Sequence, residues 1–222
     1  MECELPNAIR VTPSTRIRFK CTGCGECCRH VKATVPVDTQ DVFRLTRYLR
    51  DTGEEIFCMD QFLDQYADAA LLNECGFFVF FLKSVGEDDS CIFLKDNRCT
   101  VHAAKPRACR LYPYMVEPNE SGSCRYLYSR EREHHFRGPV IETRSWMKKN
   151  LPKEDRAFLQ EDYSRTGAIA RLLRRIPEKQ KPEALFHFYR LRYSAYDLDK
   201  PFVVQFGKNQ EKLDTILSGM AD

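Results

Sequence analysis

Four cysteines fall within eight consecutive positions of this chain: Cys21, Cys24, Cys27 and Cys28, in the stretch CTGCGECCRH. So dense a cluster does not belong to ordinary core packing. Cys21, Cys24 and Cys27 have the spacing C-x2-C-x2-C, which lets one loop fold three thiolates round a single centre. Gly23 and Gly25 lie between them. Glycine admits positive φ and leaves backbone N–H groups free to bond to sulfur. Cys28 is set apart by its adjacency to Cys27. Neighbouring side chains diverge, so these two are expected to serve different centres, or different metals of one larger assembly.

Downstream, Cys91, Cys99, Cys109 and Cys124 raise the candidate metal ligands to eight, enough for two four-thiolate sites. Cys3, Cys58 and Cys75 stand alone and read as buried or incidental cysteines. Between Cys99 and Val116 the chain carries Lys105, Arg107 and Arg110 and no acid. Cations there lower the cost of gathering thiolates, which makes Lys105 and Arg110 candidate cofactor-contacting residues. Structural zinc sites usually show two separated cysteine knuckles. One compact triplet followed by scattered cysteines looks more like iron–sulfur ligation. One or two iron–sulfur clusters are therefore the first expectation, zinc the alternative, and a reactive-thiol or disulfide role the third.

The rest of the sequence bounds this reading. Its 222 residues, 43% hydrophobic and 30% charged, fit a folded globular chain. A formal net charge of +3 without a long Lys/Arg run gives no reason to expect a nucleic acid partner. No segment reaches the roughly 18 apolar residues of a membrane span. The opening MECELPNAIR has acids where a secretory signal carries a basic region, so the protein reads as cytoplasmic. Thiols stay reduced in that compartment and clustered cysteines more often bind metal.

Residues 37–53 read as a helix. Asp38 or Thr39 caps its start, Val42, Leu45 and Leu49 share a face, and Gly53 ends it. Residues 76–102 read as two or three short strands turned by GEDDS and KDNR. Helices dominate after residue 141. One starts near Pro152, and Gly167 is a candidate break. Apolar stripes run through Ile169, Leu172, Leu173 and Ile176, through Ala184, Phe188, Leu191 and Ala195, and through Leu213, Ile216, Leu217 and Met220. Core packing is their simplest meaning. Glu133-His134-His135 reads as a solvated helix or loop, because adjacent histidines diverge. The basic stretch at 171–175 reads as a solvated helix end.

Two blocks of this sequence, FKCTGCGECCRH and CIFLKDNRCTVHAAKPRACRLYP, resemble the CxxCxxCC family of YkgJ-type cysteine-cluster proteins. Cys91, Cys99, Cys109, Arg110, Tyr112 and Pro113 fit its pattern position by position. Lys105 stands where that family usually has arginine, so the bidentate fork of a guanidinium is lost there. His102 replaces a common tyrosine. The resemblance covers roughly residues 19–113. It implies zinc or iron chelation or an iron–sulfur cluster. It also brings in protein modification, because members include flagellin lysine N-methylases. No glycine-rich dinucleotide turn accompanies it. The radical-enzyme spacing C-x3-C-x2-C fails as well, since Val31 sits where its third cysteine belongs.

The resulting expectation is an α+β fold, predominantly helical, with a small cysteine-clamped core containing short strands. Residues 1–138 form the metal-binding domain, and 139–222 form a helical region packed on it. Its function is that of a metal-binding cysteine-cluster protein in electron transfer or in modification of a protein or peptide. An Fe–S-dependent oxidoreductase or protein-modifying enzyme is the catalytic version, with a redox partner or a protein or peptide partner and no membrane. The alternative is a zinc-stabilised protein-binding module without catalytic activity.

Overall fold

The structure, a computed structural model, describes residues 8–130 and 132–221. Cys3 lies outside the described residues. Seven α-helices are described: α1 Thr39–Asp51, α2 Met59–Tyr66, α3 Arg107–Leu111, α4 Thr143–Asn150, α5 Lys153–Arg175, α6 Lys181–Tyr189 and α7 Phe202–Ala221. The fold is α+β, and helices make up 48% of it. Small antiparallel sheets and long loops occupy most of the first 142 residues.

Local chemistry explains the element ends. Asp38 caps α1, its carboxylate accepting from the Asp41 N–H at 2.8 Å. The face of Val42, Leu45 and Leu49 is buried as its spacing requires. Gly167 does not break α5, which runs through it for 23 residues. A glycine costs a helix interior about 1 kcal/mol, and the burial of Phe158, Ile169 and Leu173 on this helix offsets it.

Residues 76–102 form more strands than the two or three expected. Phe78–Leu82 joins Pro36–Val37 and Ala67–Leu71 in a three-stranded sheet. Two minimal hairpins follow. Ser84–Val85 pairs with Ser90–Cys91, and Leu94–Lys95 pairs with Arg98–Cys99. Asp96 and Asn97 both have positive φ, 50° and 58°. That is the two-residue turn whose twist suits a hairpin, and it sets Cys99 opposite Leu94.

A second three-stranded sheet, Ala8–Val11, Cys124–Ser129 and Tyr114–Pro118 in that spatial order, has no counterpart in the sequence expectations. Nor has α2. Two hydrophobic cores result. The larger takes residues from Val31 to Val101 and from Phe158 to Leu217, so the C-terminal helices and the cysteine-bearing hairpins contribute to one core, with Phe188 against Phe77 and Phe78. The smaller is aromatic. Phe19 meets Tyr112, Phe136 and Trp146 edge-on, with ring centroids 5.6, 6.0 and 5.4 Å apart.

Candidate metal centre

The cysteine loop is docked onto the hairpins by three devices. Gly25 has φ 78°, and a Cβ there would lie 2.9 Å from the Asn97 carbonyl oxygen. Only glycine lets the loop lie that close to the Asp96-Asn97 turn. Arg29 then donates to Asp88 Oδ2 and to Asn97 Oδ1, each at 2.5 Å, bridging both hairpin turns. The backbone N–H groups of His30 and Val31 donate to the carbonyls of Asp88 and Asp89 at 2.9 and 3.0 Å.

This docking gathers five thiols: Cys27, Cys28, Cys91, Cys99 and Cys109. Each of the five is coupled electrostatically to others of the group. Cys27 and Cys28 do not diverge. A single 3₁₀ turn, Glu26–Cys28, follows Gly25, and it leaves their sulfurs 3.9 Å apart. The hydrogen bond from Cys28 holds Cys27 below the ordinary thiol range, against burial and with help from Lys105. Donating that hydrogen bond, burial and the neighbouring sulfurs push Cys28 up. Burial, followed by the charges of its neighbours, also raises Cys109. Burial raises Cys91 and Cys99 too, while the N–H groups of Phe93 and Val101, each two residues on, favour their thiolates.

Cys24 goes elsewhere. Its Sγ lies 3.3 Å from His134 Nε2 and 3.2 Å from His135 Nε2. Among the described residues, this is the group of three Cys, His or acid ligands whose donor atoms all fall within 4.8 Å. Burial opposes ionisation of Cys24, but hydrogen bonds from Thr22, both histidines and the Glu26 N–H outweigh it and bring the thiol to about 6. The histidines sit on a 3₁₀ turn, Glu133–Arg137. Lys20 N–H donates to the His135 carbonyl at 2.9 Å, and a Cβ at Gly138 would collide with Lys20. That close approach brings the turn against residues 19–20. His135 is buried, and its Nδ1 lies 3.0 Å from the Tyr112 hydroxyl. If Nε2 offers its lone pair to a metal, Nδ1–H donates to Tyr112, which fixes ring and tautomer.

The cysteines of the expected single loop, Cys21, Cys24 and Cys27, have different neighbours. Cys24 joins two histidines, Cys27 joins Cys28, and exposed Cys21 lies outside the 4.8 Å group. Cys124 is on a strand against the smaller core, where Gln160 Nε2 donates to its sulfur at 3.2 Å. Of the two candidate cofactor-contacting cations, Lys105 lies near enough for its charge to favour the Cys27 and Cys99 thiolates. Arg110 instead pairs with Asp155 at 2.8 Å. Cys75 is buried, donating to Asn73 Oδ1, and Cys58 precedes α2. His102 is exposed. All ten described cysteines are free thiols.

Adjacent side chains such as those of His134 and His135 leave the backbone in different directions, which is why the sequence reads as a solvated helix or loop there. Imidazole is long enough to reconverge, and the two rings lie 4.2 Å apart, centroid to centroid. The local signal was the EHH triplet itself, but only the docked turn supplies Cys24 as a third donor.

Sulfur and imidazole donors converging without acids are zinc and iron chemistry. A family model described as "Putative zinc- or iron-chelating domain" matches residues 20–135, more than half of the chain. The chain belongs to the CxxCxxCC family. The match in this CxxCxxCC protein begins beside the cysteine loop and ends at His135, so it spans both groups of ligands. No curated protein and no solved structure matches the chain. No helix among the described residues is long and apolar enough to cross a membrane.

Proposed function

We propose that this chain holds two metal centres of different chemistry. The first is an iron–sulfur cluster bound within the group Cys27, Cys28, Cys91, Cys99 and Cys109. The second is a single zinc or iron ion bound by Cys24, His134 and His135. The observation that carries the reading is the separation of ligands by donor type, with thiols alone in one group and imidazoles with one thiol in the other.

Spacing supports the assignment. Sulfurs round one tetrahedral ion lie about 3.8 Å apart, given metal–sulfur bonds of about 2.3 Å. No three of the five thiols meet that closely. An inorganic core between them spreads the ligands of a cluster. Lys105 and the N–H groups directed at Cys91 and Cys99 offset the charge of gathered thiolates. A cluster in this position supplies one-electron chemistry. That suits electron transfer to a redox partner or modification of a protein or peptide, in a reducing compartment such as the cytoplasm.

A second reading rests on Cys27 and Cys28. Their 3.9 Å separation matches one edge of a tetrahedral zinc site, and zinc at both centres would make the chain a stabilised binding module. Metal and acid-labile sulfide analysis of anaerobically purified protein separates the two. Iron with matching sulfide and a brown colour bears out the cluster. Zinc alone, without sulfide, overturns it in favour of the module.

A further inference from the structure

Beside the thiol group lies a concavity that chelation does not use. One face of α1, the loop before Pro106 and the first turns of α5 and α7 enclose an open cavity of about 570 Å³. Cavities of this size commonly hold small ligands. Four cations line it, Arg44, Arg47, Lys105 and Arg110, against two acids, Asp51 and Glu154.

The cations are held in place. Behind the wall, Asp155 is 1% exposed. Its carboxylate accepts from Arg44 at 2.9 and 2.5 Å and pairs with Arg110 at 2.8 Å. One carboxylate thus fixes two guanidiniums, leaves a positive charge in excess, and spares an incoming anion the cost of ordering them. Nε and Nη2 of Arg110 are buried with no hydrogen-bond partner. Unpaired buried donors are costly, and because these atoms are closed off from solvent, Arg110 acts on an anion in the cavity through its charge. Lys105 has no carboxylate partner among the described residues. The lining also includes the apolar residues Phe43, Phe202 and Val203. The rings of Phe43 and Phe202 meet at 5.3 Å, and Val203 is 60% exposed at the start of α7.

We infer that this cavity binds a small amphipathic oxyanion, with a carboxylate or phosphate head among Arg44, Arg47, Lys105 and Arg110 and an apolar body against Phe43, Phe202 and Val203. The inference goes beyond metal chelation and does not depend on which metal is bound. Lys105 serves both the cavity wall and the thiols, so the ligand would sit next to the metal centre.

Isothermal titration calorimetry on the full-length, metal-loaded protein tests this with benzoate, phenyl phosphate, neutral benzamide and inorganic phosphate. Benzoate or phenyl phosphate should bind at least about tenfold more tightly than benzamide, as a head group paired with fixed guanidiniums requires. The tighter of the two names the head group. Arg47→Gln and Val203→Glu alter exposed positions and should keep the circular dichroism spectrum of the parent. Losing one cation should weaken binding by about threefold or more, and placing a carboxylate at the mouth by about tenfold or more. The inference is overturned if benzamide binds as well as the anions, if neither anion binds, or if both variants bind as the parent does. Inorganic phosphate binding as tightly as phenyl phosphate would overturn the apolar half.

Discussion

The two groups of ligands differ in donors, in backing and in how their residues are brought together. The five thiols come from the cysteine loop, two hairpins and α3, and Cys28, Cys91, Cys99 and Cys109 sit against the larger core, with Cys27 exposed. Burial makes most of them reluctant to ionise. Cys24 and its two histidines come from a loop and a 3₁₀ turn beside the aromatic core, and there hydrogen bonds favour the thiolate. In the first group burial favours neutral thiols, and in the second hydrogen bonds favour a thiolate beside two imidazoles. Similar sulfur chemistry is thus built once on burial and once on hydrogen bonding.

Reciprocal substitutions give the largest expected effect. Cys91→Ser should strip metal from the thiol group, leave that at Cys24, and cost several kcal/mol of stability, because metal binding there is coupled to folding. His135→Ala should do the reverse, removing the Cys24 metal. It also loses the His135 contact to the Tyr112 hydroxyl, worth about 1 kcal/mol. Metal content and thermal unfolding of both variants check this. Loss of the same metal from both would join the two groups into one centre.

The pH response should separate them next. Cys24 has a folded pKa of about 6, below the ordinary thiol value of 9.0. Its contribution to stability is present above pH 9 and lost as pH falls through about 6. Cys109, Cys91 and Cys99 are shifted upward. Their contribution is present below pH 9 and lost as pH rises above it. In chelator-treated, metal-free protein, Cys24→Ser should therefore flatten the stability curve between pH 9 and 6. Cys109→Ala should flatten it above pH 9. Denaturant midpoints across that range are the measurement, and curves of the same shape in both variants would remove the contrast.

The smallest effect belongs to Cys124→Ala. With Cys124 on a strand of the smaller core, the variant should retain all metal. It loses one Gln160 contact, worth about 1 kcal/mol. Metal analysis showing depletion would return Cys124 to the ligands.

Helices α1, α5 and α7 were legible because they depend on near neighbours. Asp38 caps α1 through the Asp41 N–H three residues on, and the stripe of Ile169, Leu173 and Ile176 is buried as its spacing indicates. The GEDDS and KDNR turns were legible for the same reason. The strands Tyr114–Pro118 and Cys124–Ser129 were not. Every position of Cys124–Ser129 is half-buried, so no alternation of apolar and polar residues marks it.

What the sequence determined by itself was the chemistry on offer: clustered cysteines suited to zinc or iron, a basic segment beside them, and the local turns and helices that carry them. Tertiary structure alone decided the partition of ligands. Cys24 was drawn from its neighbours to histidines 110 and 111 residues away. Cys27 and Cys28 were turned together, and Arg110 was claimed by Asp155. The physical reason is that a ligand set is defined by which atoms converge within a few ångströms. Across such separations, convergence depends on close backbone approaches such as those at Gly25 and Gly138, which spacing along the chain does not encode.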